Sequence, residues 1–171
     1  MNDRPVARRP SLSVMSTDAV DVVRSAGGLV FDRVRLGWRV IVSIPAGTDT
    51  RALRILGAEV ADLQEPIDGH REHRSALVAS ATLYADDAAV RSEVESALAT
   101  KTTEVLIWGP TLPSALDRGS RSVSYRLSSA ARVFKAQALI ATGGPDEVEP
   151  TELFRTKCAP DVIARELDVA G

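Results

Sequence analysis

A small set of residues stands where an open α/β sheet would place a ligand, just beyond the carboxyl ends of apolar runs. Gly47, Thr48 and Asp49 follow the run Arg39 to Pro45, and a helix is expected to begin behind them. Backbone N–H groups and hydroxyls at such a start can hold an anion. Asp62 closes the next apolar run, Asp86 follows a third and Trp108 ends a fourth. Together these residue types offer recognition of a small polar molecule or nucleotide.

The familiar signatures that would sharpen this reading are missing. No Gly-x-Gly-x-x-Gly accompanies Asp62, although a dinucleotide fold places a ribose-binding carboxylate at that point. Asp49 would repel a phosphate, so Thr48 and Asp49 serve equally well as a helix cap, and Asp62 as a solvated strand end. Asp86 and Asp87 read first as the start of a helix, since adjacent side chains seldom converge on one ligand. Neither a phosphate loop of the Walker A kind nor a Gly-x-Ser-x-Gly elbow occurs. His70 and His73 are spaced to share a metal on a helix, but they lie in a polar stretch. A stable zinc site takes three or four protein ligands, so no metal site and no cofactor is expected. The one cysteine, Cys158, has no sequence-adjacent base to activate it. Gly27 and Gly28, inside a helical pattern with no strand expected before it, read as a place of close packing rather than a phosphate loop.

A second kind of chemistry is electrostatic. No Asp or Glu occurs from Ser120 to Thr142, although the chain carries a net charge of −2. Arg121, Arg132 and Lys135 fall on one side of a helix expected over 122–141, opposite its apolar stripe. This basic face is a candidate surface for a protein partner and, less readily at a pI near 5.7, for nucleic acid.

The elements that must carry these residues follow from periodicity. Ser16-Thr17-Asp18 opens a helix whose face is marked by Val20, Val23, Gly27, Val30 and Val34, and Gly37 ends it. Arg39 to Pro45 is apolar on both faces, as a central parallel strand is. A short helix to Leu56, Gly57, and a strand over Ala58 to Leu63 complete a βαβ unit. A loop is expected over 64–75, then a strand over 76–83 (the same residues also fit the first half of a helix), a helix over 88–100 and a strand over 103–108. The expected fold is α/β: a three-layer, Rossmann-like domain with a short, mostly parallel sheet of about four strands and helices on both faces.

Composition fits one such domain. The chain has 171 residues, of which 44% are hydrophobic and only 4% aromatic, so its core must be aliphatic. Residues 1–15 are expected to be an unstructured extension, with Met15 as an alternative start. The domain then spans 16–144, and 145–171 forms a tail with a short helix over 160–169. No apolar stretch is long enough for a membrane span and no signal peptide is visible, so a cytoplasmic location is expected. Eighteen Arg against three Lys fit a high-GC bacterial coding sequence. With no nucleophile, base or metal set at the strand ends, the expectation is a non-catalytic module that binds or regulates a protein partner or forms a homo-oligomer. The rival expectations are a small-molecule site or enzyme at the strand ends, and nucleic-acid binding through the basic helix.

Overall fold

In the computed structural model, which describes residues 9–65 and 74–157, the sheet grows outward from a short central strand, β1 (Ser11–Met15). β1 pairs in parallel with β2 (Arg39–Ile44) on one side and β4 (Ala76–Ser80) on the other. β3 (Glu59–Asp62) extends the sheet beyond β2, and β5 (Glu104–Trp108) beyond β4, both in parallel. Two further strands, β6 (Arg121–Arg126) and β7 (Thr151–Thr156), join antiparallel, and the order is β3-β2-β1-β4-β5-β7-β6.

The α/β class expected from periodicity holds, but the sheet has seven strands rather than about four, and it is mixed, with four parallel pairings and two antiparallel ones. Three segments account for the difference. Ser11–Met15 is a central strand, not part of an unstructured extension. Its alternating serines hide it, because a buried parallel strand usually reads as an unbroken apolar run. Arg121–Arg126 is a strand, not the first turns of a long helix. Val123 and Leu127 fit a helical spacing, but Arg-Ser-Val-Ser-Tyr-Arg alternates with period two, and the strand's period prevails. Within the expected tail, Thr151–Thr156 enters the sheet as β7, so the domain does not stop at 144. The short helix expected over 160–169 lies outside the described residues.

The helices cover both faces. α1 (Ala19–Arg35), α2 (Arg51–Ile55) and α6 (Ser129–Ala141) pack with Leu12, Val14, Val42, Val78 and Leu106. The alternate residues Leu77, Ala79, Val105 and Ile107 face α4 (Ala88–Thr100) and the single-turn α5 (Ser114–Asp117). Each fully buried Leu or Val here contributes about 1.5–3 kcal/mol. The segment expected as strand over 76–83 divides: five residues pair as β4, and α3 (Ala81–Asp86) begins at once. Asp87 then caps α4, accepting from Ala89 N and Val90 N.

A buried ion pair joins the two halves of this sheet. Lys135 of α6 meets Glu152 of β7 at 2.6 Å, and both side chains are almost wholly buried. The Glu152 carboxylate also accepts from Gly28 N (2.7 Å) and Leu29 N (2.9 Å) in the middle of α1. Lys135 Nζ donates to Arg24 O at 2.7 Å. Gly28 N and Arg24 O are the two groups that a regular helix pairs with each other, so the ion pair gives each a charged partner. Burial pushes the Glu152 carboxyl up, against the ammonium and the two N–H groups that pull it down. Gly28 is required by this packing: a Cβ there would stand 2.2 Å from Leu127 Cγ.

Two outcomes test this core. Gly28→Ala is expected to lose about 1–3 kcal/mol in denaturant unfolding through overpacking, despite the roughly 1 kcal/mol helix preference of Ala over Gly. Lys135→Met is expected to cost about 3–5 kcal/mol, because it leaves the Glu152 charge buried alone. Adding Glu152→Gln should recover part of that loss, and a double variant no more stable than Lys135→Met would contradict the electrostatic account.

Candidate functional site

β1 and β4 are neighbours, yet their crossovers leave the sheet on opposite faces, α1 to one side and α3–α4 to the other. Between two such diverging connections an α/β sheet opens a crevice at its carboxyl edge. A cavity of about 320 Å³ lies there. Its walls come from Thr17, Asp18 and Asp21 after β1, Ser80 at the end of β4, Thr82 just behind it, and Trp108 at the end of β5. Gly109 allows β5 to turn away closely: its φ is +143°, and a Cβ would stand 2.9 Å from Ala81 Cβ.

Two carboxylates occupy this crevice in different states. Asp21 is fixed by three donors: Ser16 Oγ at 2.9 Å, Trp108 Nε1 at 3.0 Å and Ser25 Oγ at 3.3 Å. A carboxylate has about four acceptor positions, so Asp21 is nearly saturated and held in one orientation. Asp18 is exposed and caps α1 by accepting from Asp21 N at 2.8 Å. It has no other side-chain partner among the described residues. Both stand at the positive end of the α1 dipole, which favours their charge. Arg24 lines the same wall. A second lobe of about 430 Å³ shares Asp21, Arg24 and Trp108 and extends toward Leu139, Glu147 and Glu149.

Of the ligand residues expected from sequence, Trp108 alone lines this crevice. Gly47, Thr48 and Asp49 follow β2, and Asp62 ends β3, on the flank of the sheet away from β4. Thr48 Oγ1 donates to Pro45 O at 2.7 Å, and Asp49 accepts from Arg51 N and pairs with the Arg51 guanidinium at 3.1 Å. The Arg51 N–H and side chain hold the Asp49 carboxyl below its usual range. Asp62 accepts from Gln64 N in a local turn. Asp86 is the exposed last residue of α3, while the cap is Asp87. Sequence reading missed Asp18 and Asp21. The polar start Ser16-Thr17-Asp18 was visible, but its meaning as a strand end depends on recognising β1.

The basic face expected over Arg121, Arg132 and Lys135 does not form. Arg121 lies on β6 opposite Thr156, Arg132 is exposed on α6, and Lys135 is buried against Glu152. The three residues therefore share no single helical face. His70, His73 and Cys158 lie outside the described residues. Among the described residues no three His, Cys, Asp or Glu groups cluster to hold a metal, and no helix is long and apolar enough to cross a membrane.

No family model and no curated protein matches the chain. Solved structures do. The zinc-inhibited form of a teicoplanin deacetylase aligns with a TM-score of 0.56 at 13% identity, over 85% of this chain and 97% of that one. The deacetylase of the antimicrobial A40926 pseudoaglycone aligns at 0.56 and 15%, over 90% and 100%. The 4-carboxy-2-hydroxymuconate hydratase GalB from Pseudomonas putida KT2440 aligns at 0.57 and 13%, over 90% and 98%. At these identities the likeness is one of fold. These structures are of enzymes, deacetylases and a hydratase, which overturns the expectation of a non-catalytic, protein-binding module.

Proposed function

We propose that this chain binds and transforms a small polar molecule in the crevice between the carboxyl ends of β1 and β4. The observation that carries this reading is Asp21, a carboxylate fixed by Ser16, Ser25 and Trp108 on the wall of a cavity. Such fixing has its use in orienting a ligand, since a preorganised acceptor loses little freedom on binding. The Thr17 and Thr82 hydroxyls line the same space, so the occupant is a molecule rich in hydroxyl or amine groups. The second lobe leaves room for the remainder of a larger substrate.

The reaction class we infer is one that adds water, by hydrolysis or by hydration. Asp18 has lone pairs free to take a proton from water, and Asp21 orients the substrate beside it. General-base assistance of this kind contributes about 10²–10⁴-fold. Both named activities among proteins that share the fold, deacetylation and hydration, are compatible with a carboxylate that activates water. A chain with one cysteine suits a reducing cytoplasm.

A thermal-shift panel of N-acetylated sugars, hydroxy acids and unsaturated acids tests the reading. A true ligand at 100 times its Kd should add about 2.7 kcal/mol of stability. Turnover of a hit should fall at least about 10²-fold in Asp18→Asn with KM little changed. Asp21→Ala should raise KM. A panel without any shift, or full activity in Asp18→Asn, would sink the proposal.

A further inference from the structure

The opposite end of α1 carries a second, chemically different cavity. Asp21 and Arg35 are separated by 14 residues of helix, or about 20 Å. Around Arg35 the last turns of α1, the β6–α6 junction and Pro150 enclose an open groove of about 900 Å³. Four arginines line it, Arg33, Arg35, Arg126 and Arg132, against one acid, Asp32. Asp32 is turned inward: it accepts from Tyr125 OH at 2.8 Å and from Ser128 N at 3.1 Å, and the Ser128 hydroxyl donates to it as well. Arg33 is buried, its guanidinium 5.2 Å from the Trp38 ring and 5.8 Å from the Tyr125 ring.

Arg35, Arg126 and Arg132 differ from these. All three are exposed, and their side chains have no partner among the described residues. Three exposed arginines without a side-chain partner among the described residues thus line one groove in a chain whose net charge is −2. α6 begins on the same wall, so the positive end of its dipole adds to theirs. The remaining wall is mixed: Leu36, 58% exposed, and Pro150 give it an apolar part, beside Tyr125, Ser128 and Ser129.

We infer that this groove is a second ligand site, separate from the crevice, for an organic phosphate with an apolar body. Guanidinium forks match phosphate oxygens pairwise, and several of them favour a dianion over a monocarboxylate. The apolar part of the wall, Leu36 and Pro150, gains nothing from inorganic phosphate, so the body of the ligand supplies the rest of the binding. A groove of this volume takes a small molecule.

Titration calorimetry with 1-naphthyl phosphate tests the inference, beside inorganic phosphate, neutral 1-naphthol and a single-stranded oligonucleotide. Saturable binding of 1-naphthyl phosphate is expected, about tenfold or more tighter than either fragment, and weakening as salt rises. Arg126→Glu/Arg132→Glu should weaken it by about tenfold or more. These are surface substitutions, and the circular dichroism melt of the variant should match the parent. Asp21→Ala should leave it unchanged. Absent binding, an affinity unaffected by the double reversal, loss of binding in Asp21→Ala, or a clear preference for the oligonucleotide would each overturn the proposal.

Discussion

The ion pair between Lys135 and Glu152 is the joint on which the two parts of the sheet depend. It links α6 and β7, which belong to the antiparallel extension, to the middle of α1, which belongs to the parallel core. Burying two charges is costly, and such a pair persists only when every remaining polar position is met. Here Glu152 accepts from Lys135 and two backbone N–H groups, and the ammonium also reaches the Arg24 carbonyl. Gly28 of α1 makes the approach possible. A side chain at that position would collide with Leu127, which leads into α6.

This joint divides α1 into two working ends. Its first turns carry Asp18 and Asp21 to the carboxyl edge of the sheet, and its last turns carry Arg33 and Arg35 to the basic groove. The arrangement agrees with the helix dipole, which favours acids at the start and cations at the finish. One helix thus presents an acceptor-rich cavity at one end and a donor-rich cavity at the other, with the buried pair bound to its backbone between them. The Lys135 and Glu152 side chains also form part of the floor of the second lobe, so the joint and the crevice share a wall.

Much of the scaffold was legible from local signals. Arg39–Ile44 and Glu104–Trp108 announce themselves as β-branched or apolar runs, and Asp18, Asp87 and Gly37 mark the helix ends that the structure has. The failures have physical causes. Ser11 and Ser13 break the apolar run of β1, and the 121–126 segment satisfies two periodicities at once. The candidate site was hidden more deeply, since it depends on tertiary contacts. Asp21 and Trp108 are 87 residues apart, and nothing local links them. Trp108 was picked out as a strand end, but its indole has meaning only beside an aspartate that local reading assigns to the first turn of a helix. Lys135 misled for the opposite reason: on a helical wheel it is an ordinary exposed base, and its burial follows from Glu152 of a strand not recognised in the tail.

Amide and indole chemical-shift mapping during titration with a ligand of the crevice addresses the central claim most directly. The account predicts that the largest changes fall on the Trp108 indole N–H and on the amides of Thr17, Asp21, Ser80 and Thr82. Changes centred instead on Gly47, Thr48, Asp49 and Asp62, with the Trp108 indole unmoved, would contradict it.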